Sequence, residues 1–226
     1  MKTTFITAAL CLGLAASASA DTTLDLLETV ADTSTVQVAY TFGTSTDNII
    51  ISASTIAAWL DGQSDGLYWT FVNGSTSADN PVSPTLSSGE SGYTLSFWNR
   101  KNYNGSVVGI ATTIEDTSSL TSLDFSYTES VNEAGTIYLV YQTGGTWTME
   151  STGFTVGNEA TISIDLSETS LSSSTVYAVV VTTTGGGSKE TGTISLTAAS
   201  GAVPEPATAT LGLLALGALA LRRRRA

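Results

Sequence analysis

Residues Thr175–Thr182 read TVYAVVVT, and this stretch decides the fold. Branching at Cβ stiffens Val and Thr and favours extended backbone. A short run that is apolar almost throughout, without alternation, predicts a central strand covered on both faces. Just upstream, residues 160–166 alternate strictly, with Ile162, Ile164 and Leu166 in one direction, which is the period of a half-buried strand. Downstream, Gly185, Gly186 and Gly187 make a loose turn into a further strand over 191–198.

The same reading extends outward through the chain. Strands are expected at 36–42, where Val36, Val38, Tyr40 and Phe42 share a face, and at 48–52 as its hairpin partner. Others are expected at 67–72, 107–113, 120–128 and 136–142, and at 146–150 after the Gly144-Gly145 turn. Residues 93–99 form another, with Tyr93, Leu95 and Phe97 opposite Trp98. Residues 24–30 fit either a first strand or a helical turn. Residues 54–60 break the period: Ser54 or Thr55 caps a short helix whose Ile56, Trp59 and Leu60 share a face, and Asp61-Gly62 stops it. Residues 73–92, polar and punctuated by Pro81 and Pro84, read as one long mobile connection. About ten short strands at this spacing predict an all-β fold: a single two-sheet antiparallel β-sandwich, jelly-roll-like in strand number. An immunoglobulin-type sandwich is the alternative, disfavoured by strand number and by the missing Cys-Trp-Cys pattern.

Composition narrows the chemistry. The 226 residues include no histidine, which excludes Ser-His-Asp and Cys-His nucleophiles, imidazole-bound zinc and a histidine pH switch. Residues 1–20 have a basic start at Lys2, an apolar stretch and Ala18-Ser19-Ala20, the pattern of a cleaved signal peptide. Cys11, the single cysteine, falls inside that segment, so the exported domain, 21–198, stands without disulfides on its core. From Asp21 to Val203 there are nineteen acidic side chains against three basic ones, Arg100, Lys101 and Lys189, for a net charge of −16. Such a surface repels phosphate backbones and excludes nucleic acid as a partner.

The C-terminal tail is of another kind. After a linker, 199–206, that ends in Pro204-Glu205-Pro206, residues 207–221 are apolar and uncharged, and Arg222, Arg223, Arg224 and Arg225 follow before Ala226. The prolines prevent a helix from running in from upstream. Fifteen residues give about 22 Å of helix, short of the ~30 Å hydrocarbon core, and snorkelling arginines recover part of the deficit. The positive-inside rule keeps the arginines, 222–226, cytoplasmic and the domain outside. These three parts, in order, resemble the PEP-CTERM sorting signal of Gram-negative surface proteins. The resemblance implies an exosortase-type transpeptidase as partner, cleavage near Pro204-Glu205-Pro206, passage through the inner membrane, and a final place at the cell surface or in extracellular matrix. A plain membrane anchor is the alternative.

Candidate functional residues in the domain are few. Trp98 beside Asn99, Arg100 and Lys101 is a kit for a glycan surface: a flat ring for a sugar face, polar groups for hydroxyls. The competing reading packs Trp98 under a loop. Trp69 and Trp147, mid-strand, are expected in the core, and Trp59 is expected to pin the short helix. Asp61, Asp65 and Gly66 only partly match a calcium loop, because no closing Glu follows, and no metal or other cofactor is expected. Glu129 with Glu133, or Glu115 with Asp116, are the carboxylate pairs a glycosidase would use, yet both fall in turn-like stretches where acids are solvated. No catalytic residue is therefore assigned. The expected function is a non-enzymatic, structural or glycan-binding surface protein, with no buried carboxylate pair and an exposed aromatic patch. The alternative is a carbohydrate-active enzyme with two acids across a deep groove.

Overall fold

The computed structural model describes residues 22–32, 38–39, 52–60, 65–71, 84–89, 92–99, 105–114, 119–131, 133–166, 171, 175–182 and 188–201. In chain order the elements are β1 (Thr22–Asp25), α1 (Glu28–Asp32), β2 (Val38–Ala39), α2 (Ala53–Leu60), β3 (Gly66–Phe71), β4 (Thr85–Gly89) and β5 (Gly92–Asn99). There follow β6 (Ser106–Thr113), β7 (Leu120–Glu129), β8 (Gly135–Thr143), β9 (Thr146–Phe154), β10 (Glu159–Asp165), β11 (Thr175–Thr182) and β12 (Ser188–Ser200). Two six-stranded sheets result. The first runs β10-β7-β12-β5-β4, with β1 also paired to β12, and the second runs β2-β3-β6-β11-β8-β9. All described pairings are antiparallel except β2 on β3. The fold is thus the two-sheet sandwich expected.

The core lies between the sheets. Leu123, Phe125 and Tyr127 of β7, Ile194, Leu196 and Ala198 of β12, and Leu95 and Phe97 of β5 face Ile137 and Leu139 of β8 and Val108 and Ile110 of β6. Each such side chain removed from water contributes roughly 1.5–3 kcal/mol. The sequence at 24–30 resolves into both of its readings. Asp25 ends β1 and its Oδ1 accepts from Leu27 N at 3.0 Å, turning the chain into α1, so that Leu26, Leu27 and Val30 join the core. The β8–β9 hairpin turns at Gly144 and Gly145, whose φ of 55° and 79° suits the two-residue turn that needs left-handed backbone at both positions.

The outer face of the second sheet is apolar too. There Tyr68, Val107, Ala111, Val140, Tyr177, Val179 and Val181 form a second cluster with Ile56 and Ala57 of α2. β11, between β6 and β8, is therefore buried from Val176 to Thr182, the double coverage its sequence predicts.

Several expectations are corrected. The helix cap is Ser52, ahead of both residues expected: its Oγ accepts from Thr55 N at 3.2 Å, and its carbonyl from Ile56 N at 3.0 Å. The long connection contains β4, an edge strand that hides because Leu86 is its single apolar residue. β9 runs to Phe154, past Glu150, where the expected strand ends. Trp69 is in the main core, but Trp147 lies half-buried on the outer face of the second sheet, stacked on Tyr177 at 5.3 Å between centroids. Position 147 pairs with Gln142 and so takes the face away from Tyr141. Of the expected strand 36–42 only Val38–Ala39 is described, as β2. Positions 48–51 and the Trp59 side chain lie outside the described residues.

Candidate functional site

The outer face of the first sheet differs from the other three sheet faces. Register places Glu159, Thr128, Thr193, Thr94 and Ser87 in one row across β10, β7, β12, β5 and β4. The row on one side holds Thr191, Ser96 and Thr85, and the row on the other holds Thr161, Ser126 and Ser195. Beyond these, Ser163, Asp124 and Thr197 align, with Ser122 Oγ donating to Asp124 Oδ2 at 2.9 Å. Strand spacing of about 4.8 Å and a two-residue repeat of about 6.8 Å make this a regular lattice, mostly of neutral hydroxyls, with Glu159 and Asp124 within it. Each hydroxyl can both donate and accept. Alternation produces it: along β7 and β12 the inward side chains are mostly apolar, Glu129 and Glu190 apart, while the outward ones are mostly Ser or Thr, with Asp124 and Lys189 among them.

Trp98 stands at one end of that lattice. Tyr93, Leu95 and Phe97 take the inner face, so Trp98 takes the outer one, half-buried and opposite Lys189 across the β5–β12 ladder. The Asn99 side chain, Arg100 and Lys101 lie outside the described residues. The lattice itself escaped sequence reasoning, which sought motifs and aromatics. The outward half of each alternating run was its signal.

The carboxylates are not where the sequence suggests. Glu129 is fully buried rather than solvated, and so is Glu190 of β12. Glu129 Oε2 accepts from the Tyr127 hydroxyl at 2.5 Å, and Oε1 accepts from the backbone N of Ser130 and Val131, both at 3.1 Å, and of Thr191 at 3.4 Å. Ser188 donates to Glu190 Oε1 at 2.6 Å, while Glu190 Oε2 has no partner among the described residues. Burial, then the charges of Glu129 and Glu133, push the Glu190 carboxyl up against the lowering effect of Ser188. Burial and Glu129 likewise push the Tyr127 phenol up. Buried acids are thus present, contrary to the expectation for a surface protein. Chemically they are closed: Glu129 has its oxygens filled by donors, and neither acid reaches solvent. Glu133 is half-buried, and Glu115 and Asp116 lie outside the described residues.

Of the calcium-loop positions, Asp61 is outside the described residues, and Asp65 accepts from the Thr113 hydroxyl at 2.7 Å, fastening β3 to β6. Among the described residues no group of three acids could hold a metal ion, and no helix is long and apolar enough to cross a membrane. Residues 203–226, with the sorting and arginine positions, lie outside the described residues.

No curated protein matches the chain. Among solved structures, the carbohydrate-binding module TmCBM61 in complex with β-1,4-galactotriose is 13% identical with a TM-score of 0.36, over 54% of this chain and 84% of that one. The family 11 carbohydrate-binding module of the cellulosomal cellulase Lic26A-Cel5E of Clostridium thermocellum is 12% identical with a TM-score of 0.34, over 65% and 94%. The enzymatically active domain of tailspike protein 4 of bacteriophage CBA120 is 11% identical with a TM-score of 0.37, over 57% and 18%. At such scores these likenesses carry no argument about what this chain binds. The tail is specific: residues 202–225 match the PEP-CTERM protein-sorting motif, and the chain therefore carries that signal directly after its sandwich.

Proposed function

We propose that this is an exported, exosortase-processed surface protein whose sandwich is a non-enzymatic module holding extracellular polysaccharide on the outer face of its first sheet. The hydroxyl lattice ending in Trp98 carries the reading. Neutral hydroxyls in rows meet the hydroxyls of a sugar chain in either sense, since each donates and accepts. Trp98 supplies a flat apolar ring against the C–H face of one sugar. Glu159, Asp124 and Asp165 fringe the lattice and bias it against polyanionic glycans. The closed state of Glu129 and Glu190 supports a binding role over hydrolysis.

Two measurements test it. Intact mass of the protein from cells that make it should end near positions 203–206, with or without an added group, and replacement of Pro204, Glu205 and Pro206 by alanine should leave it full-length in the inner membrane. A wild-type chain found only at full length would leave a plain anchor. In affinity electrophoresis through the producer's own extracellular polysaccharide, wild type should be retarded and Trp98→Ala should bind about tenfold more weakly, a difference of about 1.4 kcal/mol, at unchanged melting temperature. Equal migration of both variants in every polysaccharide tried would overturn the outer-face reading.

A further inference from the structure

The two sheets part along the edges of β9 and β10, and a cleft of about 390 Å³ opens there, lined in part by Tyr141, Glu150, Thr152, Ile162, Ile164 and Asp165. Register explains its chemistry. Ile137, Leu139 and Tyr141 face the sandwich interior, and their ladder partners on β9 are Thr152, Glu150 and Thr148. The interior face of β9 is therefore polar until Phe154. Across the gap, Ile162 and Ile164 of β10 face inward and pack against the core. The β9 wall offers carboxylate and hydroxyl groups, and the β10 wall offers the hydrocarbon of Ile162 and Ile164 beside the polar Thr161, Ser163 and Asp165.

Tyr141 sharpens the case. It lines the cleft and is only 7% exposed. Glu150 is its diagonal neighbour on the same face, and burial, then the Glu150 charge, push its phenol up. An inward-pointing charge on an edge strand can act simply to block pairing with another chain. That role accounts for Glu150 but not for a cleft beside it that Tyr141, Ile162 and Ile164 also line.

We propose that this cleft is a second ligand site, taking one uncharged or amino-bearing pyranose unit end-on. Tyr141 and Glu150 bond its hydroxyls, and Ile162 and Ile164 pack its C–H face. Its volume is near the lower end of small-ligand pockets, about 300–1,000 Å³, which suits one or two sugar rings and not a strand of polymer. Glu150 and Asp165 place negative charge at the site and disfavour uronic acids. The site adjoins the outer-face lattice along β10 but does not depend on it.

The test is saturation-transfer NMR on the full chain in detergent, with glucose, galactose, glucosamine and galacturonic acid as probes. Glucosamine and at least one neutral hexose should bind at millimolar concentration, and galacturonic acid at least tenfold more weakly. Tyr141→Phe should weaken sugar binding about tenfold while leaving the fold's melting temperature within a few degrees. Glu150→Gln should narrow the discrimination against galacturonic acid, a change that loss of packing would not produce. Trp98→Ala should alter none of these, which separates this site from the lattice. Absence of saturation transfer to any sugar, or binding indifferent to both Tyr141→Phe and Glu150→Gln, would overturn the proposal. So would calcium chloride alone perturbing Glu150 and Asp165 while the sugars do not.

Discussion

Gly192→Ala is the most revealing single change in the domain. Gly192 sits mid-strand in β12, opposite Glu129 of β7 and Leu95 of β5, on the interior face. A Cβ built there would meet the Tyr127 ring at 2.4 Å from Cε2, 2.5 Å from Cζ and 2.6 Å from the hydroxyl. Comfortable carbon contacts are about 3.5–4.0 Å, so the ring must retreat by about 1 Å. It has little freedom to do so. Phe154 stands edge-on at 5.0 Å between centroids, and the hydroxyl is tied to Glu129. Moving the ring stretches a charge-assisted bond worth about 1.5–3 kcal/mol and adds an overpacking cost of about 1–3 kcal/mol. The sum, about 2.5–6 kcal/mol, is a large part of the 5–15 kcal/mol typical of a domain. At about 2–4 °C per kcal/mol the melting temperature should drop by about 5–24 °C in calorimetry. Pairing the change with Tyr127→Ala, which removes the ring, should give a strongly non-additive double-mutant cycle. A loss under about 1 kcal/mol, or simple additivity, would refute the steric account.

Three other outcomes are expected. Glu190 has its folded carboxyl value raised, so the unfolded chain ionises first: the contribution is intact below the unfolded value, about 4.3, and is lost as pH rises towards the folded one, at up to about 1.4 kcal/mol per pH unit in that window. The stability of wild type relative to Glu190→Gln should therefore fall from about pH 4 upward in urea titrations, and a flat difference would contradict the assignment. Ser52→Ala removes the α2 cap and should cost about 1 kcal/mol by the same titration. Leu27→Ala, at a fully buried position of the α1 plug, should cost about 2–5 kcal/mol, and a loss within 0.5 kcal/mol would show that the plug is dispensable.

The sandwich is legible in the sequence wherever one physical signal dominates. Unbroken β-branched residues mark β11 as central, and clean alternation places Tyr93, Leu95 and Phe97 inside and Trp98 outside. Reading fails where signals conflict. β4 has almost no apolar residue because an edge strand with an open face buries little, so it resembles a loop. Trp147 pairs with Gln142, one position on from the inward Tyr141, and a one-position step in register moves a side chain to the opposite face. Glu129 resembles a solvated turn acid because its burial depends on Tyr127, two residues back, and on Thr191, sixty-two residues on. Such long-range partners leave no local mark.

The hydroxyl lattice is the other face of that same logic. The second sheet buries both of its faces, one in the main core and one under α2, and so its composition is committed to packing. The first sheet buries only its inner face, and its stability resides in Leu123, Phe125, Ile194 and Leu196. Outward Thr and Ser add β-propensity, and where they are exposed water satisfies their hydroxyls; Ser96, which is buried, pairs with Thr191 instead. Their identity is therefore weakly constrained by folding and open to a surface role. Thr193→Val, in the middle of the five-strand row, distinguishes the two: it keeps shape and branching, so stability should stay within about 0.5 kcal/mol. If the lattice reads sugar hydroxyls, polysaccharide retention should nonetheless fall. If retention is unchanged when Thr193, Thr94 and Thr128 are all valine, those hydroxyls are surface filling and Trp98 acts without them.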